Sequence, residues 1–113
     1  MANTTVAKIK AMLDDGTETH FSNMDFSGLD LSGFDFSERT IASSNFSNCS
    51  LKKAKFNKAF LAKCNFRGSD LRDADFSETN LKEADLCLTN LENASFSRAK
   101  MEGAKLLKAK CKK

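Results

Sequence analysis

The sequence predicts an all-β solenoid, wound as a tube with four sides and preceded by a short helix. Three observations predict this fold. An apolar residue recurs at every fifth position from Phe21 to Leu106 without an insertion. From Ser44 onward, a small residue lies two positions before each of these apolar centres. The chain has 113 residues, no Pro and a formal net charge of +3, which fits one folded domain.

A period of five residues suits neither a helix nor a continuous strand. On an α-helix, residues five apart are rotated by about 140°, so the apolar centres would spiral around every face. On a continuous strand, an odd period sends successive centres to opposite faces. The period works if three strand-like residues, pointing in, out and in, are followed by two polar residues that turn a corner. The chain then winds as a polygon around an apolar interior.

The number of sides follows from the identities of the apolar centres. Centres twenty residues apart are identical in 10 of 15 pairs, whereas centres fifteen apart are identical in 3 of 16. The ten-residue spacing is also enriched, so the pattern argues most firmly against three sides. We therefore predict four pentapeptides in each coil, with residues twenty apart stacked in columns. The predicted core columns are Phe36, Phe56, Phe76 and Phe96; Leu31, Leu51, Leu71 and Leu91; and Phe26, Phe46 and Phe66.

The repeat units resemble those of a known family. Residues 74–78 (ADFSE), 79–83 (TNLKE) and 84–88 (ADLCL) are similar to the A(D/N)LXX consensus of pentapeptide-repeat proteins. The resemblance extends from residue 21 to residue 110. It implies a right-handed quadrilateral β-helix with four pentapeptides per coil. The first coil departs from the consensus at four inward positions, which are occupied by Met24, Leu29, Phe34 and Arg39.

The two ends of the chain predict different structures. We expect residues 1–20 to form an N-terminal helical cap and lead-in, and residues 21–113 to form the β-helix of the same single domain. Thr4 or Thr5 can begin the cap helix, and Gly16 can end it. The apolar residues predicted on its inner face are Val6, Ile9 and Leu13. The C-terminal end has no such cap, which predicts self-association as a homodimer, and members of the family often dimerise through this end.

Charge is distributed unevenly. Residues 1–50 contain three basic and seven acidic residues, whereas residues 51–113 contain fifteen basic and eight acidic ones. The candidate basic patch consists of Arg98, Lys100, Lys105, Lys108, Lys110, Lys112 and Lys113. These side chains either provide solubility and discourage edge pairing, or they bind an anionic partner. No aromatic residue is interleaved among them, so the pattern does not favour nucleic-acid binding.

Four apolar residues are predicted at outward or corner positions. The register places Leu88, Leu107 and Cys87 on one face and Phe60 on the adjoining face. Such a patch is either incidental or a contact site for a protein partner. We take these residues as the candidate interaction surface.

The sequence gives no support for catalysis. His20 has no neighbouring nucleophile motif, and the cysteines at positions 49, 64, 87 and 111 form no CxxC pair. We therefore expect no enzyme activity, metal, cofactor or small-molecule substrate. No apolar stretch approaches the roughly 20 residues that a membrane span needs. The first residues lack a secretory signal, so we expect a cytoplasmic protein, with export by a signal-less route left open.

These observations favour a non-enzymatic scaffold or protein-protein interaction module. The alternative implied by the resemblance is a DNA-mimicking protein that binds or protects a topoisomerase such as gyrase. Members of that kind rely on negative charge, whereas this chain is basic toward its C-terminus.

Overall fold

The computed structural model of the chain describes residues 5–16 and 20–111. It contains the helix α1 at Val6–Asp15. Between residues 20 and 111, each five-residue unit consists of a turn and a single bridged residue. Parallel bridges join residues twenty apart, from His20 with Thr40 to Asn90 with Lys110. One coil is therefore twenty residues, or four pentapeptides. Each strand-like segment is shortened to one bridged residue, because a turn follows almost immediately.

Hydrogen bonds between coils run along the axis of the solenoid. The amide of the centre Leu51 donates to the carbonyl of Asp70 in the next coil at 2.9 Å, and the amide of Asp70 donates back to the carbonyl of Cys49 at 3.0 Å. Each coil therefore both donates and accepts hydrogen bonds on each of its four sides. A proline at the donating positions would remove one of these bonds, which fits the absence of Pro from the chain.

Each corner is a β-turn whose third residue has a positive φ. In one such turn, the amide of Ala54 donates to the carbonyl of Leu51 at 3.0 Å, and Lys53 has φ 63°. The positive φ at this position is typical of type II turns. Four corners carry Gly and the rest carry residues without a branched Cβ, because branched side chains are the most strained in this conformation.

A second local interaction supports ten of the described corners, those that follow an outward Asp or Asn. The outward Asp or Asn before a centre accepts a hydrogen bond from the amide two residues later. Asp75 accepts from Ser77 at 2.9 Å, and Asn65 accepts from Arg67 at 2.9 Å. This is the Asx-turn geometry, which explains why Asp and Asn recur at this position.

Two ladders of phenylalanine rings fill the tube. In one, the ring centroids of Phe36, Phe56, Phe76 and Phe96 are separated in turn by 5.1, 5.0 and 5.2 Å, with planes within 6° of parallel. These separations match the spacing of parallel strands, about 4.8 Å. The second ladder contains Phe26, Phe46 and Phe66. Rings of the two ladders meet edge to face, with Phe46 and Phe56 at 5.7 Å and 89°. This geometry is favourable for aromatic pairs.

Most predicted column residues are buried. The leucines of the second column are 0 to 4% exposed, and the phenylalanines of both ladders are 0 to 2% exposed apart from Phe96, which is half-buried. Polar atoms in the interior are satisfied by main-chain carbonyls: Ser69 donates to Phe46, and the thiol of Cys64 donates to Ile41. The interior is therefore apolar without orphaned small polar side chains.

The helix α1 covers the first coil. The side chain of Thr5 accepts a hydrogen bond from the amide of Lys8 at 3.2 Å, and Gly16 ends the helix with φ 72°. Thr5 is thus the N-cap, while Thr4 lies outside the described residues. Ile9 is buried, with 2% exposure. The half-buried residues that pack beside it are Val6, Met12 and Leu13 of the helix and Met24, Leu29 and Phe34 of the first coil.

The contacts of Arg39 explain why a charged residue replaces the small residue of the repeat consensus at this position. Its guanidinium donates to the carbonyl of Leu13 in α1 at 3.1 Å and to the carbonyl of Asp35 at 3.2 Å. The same group lies 5.9 Å from the ring centroid of Phe21. Arg39 therefore ties the helix to the first coil instead of filling the interior.

Candidate interaction surfaces

Leu88 and Leu107 form an exposed apolar pair. The amide of Leu88 donates to the carbonyl of Leu107 at 2.9 Å, so the two residues lie on neighbouring coils. Their side chains are 49% and 69% exposed. Leu88 also lines a hollow of about 240 Å³ that includes Asp70 and Lys110. Leu88 therefore borders both a carboxylate and a basic side chain.

Cys87 does not belong to this exposed surface, and its predicted outward exposure is wrong. It is 4% exposed, although its position in the repeat is an outward one. Its column places Arg67 one coil before it and Leu107 one coil after it. A thiol is much shorter than either neighbour, so a small side chain at this position lies in the space between the two longer ones.

Phe60 lies in a different hollow, on another side of the solenoid. It is 41% exposed and lines a hollow of about 440 Å³ together with Lys58, Arg98 and Lys100. Sequence reasoning treated Phe60 and the two later basic residues as separate features. The coil geometry brings them together, because Phe60 is bridged to Asn80, which is bridged to Lys100.

The basic residues form a belt around the last coil rather than a patch on one face. Lys100, Lys105 and Lys110 occupy the outward bridged position on three successive sides, and Arg98 and Lys108 occupy corners. All five are exposed, and none forms an ion pair within the part of the chain that is described. Lys112 and Lys113 lie outside the described residues.

The C-terminal coil exposes an apolar end. Leu106 is 44% exposed, and Phe96 and Met101 are half-buried. In the coil before it, the amides of equivalent centres donate upward, as Leu86 does to the carbonyl of Lys105 at 2.8 Å. No acceptor among residues 5–16 and 20–111 serves the amides of Phe96, Met101 and Leu106 in this way. Among the described residues, these three amides of the last coil are thus without a main-chain acceptor and lie beside apolar side chains.

A further hollow of about 440 Å³ lies where α1 meets the first coil. It is lined by Lys10 and Asp14 of the helix and by Phe34 and Arg39 of the coil. Charges of both signs are therefore present at its rim, and Arg39 is already bonded to main-chain carbonyls.

Two cysteine thiols lie in the apolar interior. Burial raises the pKa of the Cys49 thiol to about 11 and that of the Cys64 thiol to about 12, so both stay protonated and unreactive at neutral pH. Within residues 5–16 and 20–111, no group of three or more His, Cys, Asp or Glu side chains could hold a metal ion. His20 is bridged to Thr40 at the start of the first coil.

Several carboxylates are stabilised in their charged form by the turns. A hydrogen bond from the Arg72 side chain lowers the pKa of Asp70, and a hydrogen bond from the Ser37 hydroxyl lowers that of Asp35. The carboxylate of Asp70 accepts from the Arg72 guanidinium at 2.9 and 2.7 Å. These hydrogen bonds favour the charged form of both carboxylates.

Sequence reasoning missed two contributors to these surfaces. Lys58 lines the same hollow as Phe60, and Leu106 is exposed although it is a repeat centre. The twenty-residue columns would have placed Lys58 in line with Arg98, two coils later. The exposure of Leu106 had no local signal, because it depends on what lies beyond the last coil.

A family model of the pentapeptide repeat region matches residues 39–113. No curated protein sequence matches the chain. The described residues include no helix that could cross a membrane.

Several solved structures are similar. A pentapeptide repeat protein from the cyanobacterium Cyanothece 51142 superposes with a TM-score of 0.62 at 14% identity, covering 91% of this chain and 98% of the other. A pentapeptide repeat protein from Nostoc PCC 7120 is 33% identical, with a TM-score of 0.43, covering 95% of this chain and 79% of the other. Trypsin-treated QnrB1, a plasmid-mediated fluoroquinolone resistance protein, is 24% identical, with a TM-score of 0.45, covering 80% of this chain and 61% of the other. From the family match and the twenty-residue coils, we conclude that this chain belongs to the pentapeptide-repeat family.

Proposed function

We propose that the chain is a non-enzymatic scaffold, folded as a right-handed quadrilateral β-helix, that binds another protein chain through its C-terminal coil. The observation that carries the proposal is the apolar end formed by Phe96, Met101 and Leu106, whose amides have no acceptor among the described residues. An unpaired strand edge beside exposed apolar side chains favours pairing with another chain. Leu107 extends the apolar area onto an adjoining side.

The partner proposed for this end is a second copy of the same chain. Two such ends meeting about a two-fold axis would set apolar centres against apolar centres. The two shorter dimensions of the molecule are 25 and 22 Å, so a face of about 550 Å² per partner is available. A contact over the whole of this face would bury at most about 1,100 Å² in total, at the low end of specific interfaces, which predicts a dimer of modest affinity. Repulsion between the two lysine belts opposes it and weakens with salt.

Light scattering after size-exclusion chromatography tests this proposal. The unmodified chain is expected to shift from monomer to dimer as its concentration rises, and the shift is expected to occur at lower concentration in 0.5 M salt than in 0.05 M salt. Leu106→Glu is expected to remain monomeric, because it places a charge in the contact. Phe60→Asn, on the side of the solenoid, serves as the matched control and is expected to dimerise normally. A monomer at high concentration for the unmodified chain would remove the proposal.

The topoisomerase-binding alternative fits the surface less well. A DNA mimic presents negative charge, whereas the last coil carries exposed lysines on three sides, among them Lys100 and Lys105. We expect gyrase supercoiling to be unchanged when the protein is added, with or without a quinolone. Protection of gyrase in that assay would favour the alternative over the scaffold.

The proposed location is the cytoplasm. All four cysteines are free in the structure, and three of them are buried. Free thiols suit a reducing compartment.

A further inference from the structure

Phe60 is anomalous for the position that it occupies. In all the remaining units from His20 to Lys110, the residue at the outward bridged position is polar. In the column that contains Phe60, the other residues at this position are Thr40, Asn80 and Lys100. Of the ten phenylalanines, Phe60 alone is exposed, and the others are buried or half-buried. Bridging does not require an aromatic side chain, because Thr and Asn make the same bridges in the neighbouring coils. The fold therefore gives no reason for a phenylalanine here.

The charges around Phe60 are unbalanced. Lys58, Arg98 and Lys100 line the same hollow, where Glu78 is the one carboxylate. Within residues 5–16 and 20–111, none of these three cations lies within 4.0 Å of a carboxylate oxygen. The hollow thus carries an excess of two positive charges around an exposed ring. Complementarity requires an occupant that is both anionic and apolar.

We propose that this hollow binds an acidic peptide segment that carries one aromatic or large aliphatic residue. The apolar residue packs on the ring of Phe60, and flanking carboxylates pair with the three cations. This inference rests on the proposed function in assigning a protein partner, but it uses a different surface from the C-terminal coil. The hollow of about 440 Å³ is large enough for a few residues.

Two features favour a peptide over a nucleic acid. Glu78 lies in the corner column between Lys58 and Arg98, where a continuous phosphate backbone would meet its negative charge. A peptide backbone instead offers an N–H group that can donate a hydrogen bond to this carboxylate. The side-chain oxygen of Asn80 already accepts from the amide of Lys82 at 3.0 Å, so its NH₂ group remains as a donor for a peptide carbonyl. Single-stranded nucleic acid also relies on several stacking platforms, and this hollow has one.

Fluorescence anisotropy with a defined probe tests the proposal. The probe is a labelled heptapeptide with a central Phe and three acidic residues on each side, and the comparison probe has Ser in place of the Phe. We expect a dissociation constant of roughly 10 to 100 μM for the first probe at 0.05 M salt and at least tenfold weaker binding for the second. Binding is expected to weaken at 0.5 M salt, because the charges are exposed and screened.

Variants of the protein separate the two contributions. Phe60→Asn introduces the residue found at the same position in the next coil. It is expected to weaken binding of the first probe about tenfold, because it removes the ring. Lys58→Glu with Lys100→Glu is expected to abolish binding. The matched control is Lys53→Glu with Lys105→Glu, which changes the net charge by the same amount on other sides of the solenoid. It is expected to bind the first probe more tightly than the variant with Lys58→Glu and Lys100→Glu. Thermal melts of all variants establish that they are folded.

Three results would overturn the proposal. Equal affinity for the two probes would show that the ring plays no part in binding. An equal loss of affinity in the two charge-reversal variants would show that the probe is held by nonspecific electrostatic attraction. Tighter, Phe60-dependent binding of a labelled 12-mer of thymidylate would assign the hollow to nucleic acid. Light scattering on the same samples keeps the proposals distinct, because Leu106→Glu is expected to remove the dimer and retain peptide binding.

Discussion

The two ends of the solenoid contain the same columns in different surroundings. Phe26 and Leu106 belong to one column, yet Phe26 is 2% exposed beneath α1 and Leu106 is 44% exposed at the other end. Phe21 and Met101 belong to another, and they are buried and half-buried, respectively. The repeat therefore determines which residues point inward, whereas a neighbouring coil or helix on each side determines whether they are buried. In a solenoid, only the inner coils have both neighbours.

The ends also differ in charge at a single repeat position. In the first coil, the outward bridged residues include Asp25, Asp30 and Asp35, and in the last coil they include Lys100, Lys105 and Lys110. The aspartates accept bonds from their own turns, as Asp35 does from the amide of Ser37 at 2.9 Å. Lysine cannot accept such a bond. The C-terminal corners are therefore less supported by side chains than those of the first coil.

The largest effect is expected from removing a ring in an inner coil. Phe56→Ala deletes a ring that stacks on Phe36 and Phe76 and meets Phe46 and Phe66 edge to face. We expect a loss of about 3 to 5 kcal/mol in the free energy of unfolding, measured by urea titration with circular dichroism.

Leu106→Ala in the last coil is the matched comparison for this loss. We expect it to cost about 1 kcal/mol or less in dilute solution, because Leu106 is already exposed. Similar losses for the two variants would contradict the difference between inner and terminal coils.

The next largest effect concerns the attachment of α1. Arg39→Met keeps the length of the side chain but removes its hydrogen bonds to the carbonyls of Leu13 and Asp35. We expect a loss of about 1 to 3 kcal/mol and faster amide hydrogen exchange in α1. Arg98→Met, at an exposed corner without an ion pair among the described residues, is the control and should change little. Unaltered exchange in α1 for Arg39→Met would show that the helix is held by its apolar face alone.

A smaller effect is expected from acid. The pKa of Asp70 is lowered in the folded chain, chiefly by the Arg72 side chain, so its contribution to stability is present above its unfolded pKa of about 3.9. That contribution is lost as the pH falls through the lower, folded pKa. Because the pair is partly exposed, we expect Asp70→Asn to reduce stability by about 0.2 to 1 kcal/mol at pH 7.

The pH dependence supplies the test of this assignment. Thermal melts between pH 7 and pH 2 should show the two proteins converging at the acid end, since Asn keeps the turn acceptor but cannot titrate. A stability difference that stays constant with pH would mean that the charge of Asp70 is not what matters.

The smallest effect is expected at an exposed corner. Leu88 has φ 61°, a conformation that Asn adopts more readily than Leu. Leu88→Asn is therefore expected to raise stability by about 0.5 kcal/mol or to leave it unchanged, as measured in urea. Leu86→Asn, two residues earlier and fully buried, is the opposite case and should be strongly destabilising. A clear loss for Leu88→Asn would indicate that the Leu88 side chain makes contacts that stabilise the folded chain.

The sequence alone determined the register, the twenty-residue coil, the core columns and the cap helix. These features are encoded in short segments: a small residue, a polar residue and an apolar centre orient themselves within five residues, and a Thr before an amphipathic stretch begins a helix. Repetition then makes each local preference visible many times. The outward direction of Phe60 and Leu88 followed from the same register.

The contacts between these residues are not encoded in any single repeat unit. The edge-to-face contacts between the two phenylalanine ladders, the burial of Cys87 and the reach of Arg39 to Leu13 depend on side chains from other coils or from α1. The same is true of the hollow that unites Phe60 with Arg98. The physical reason is that a period along the chain fixes the direction of a side chain, whereas its burial and partners depend on the size and charge of residues stacked above and below it.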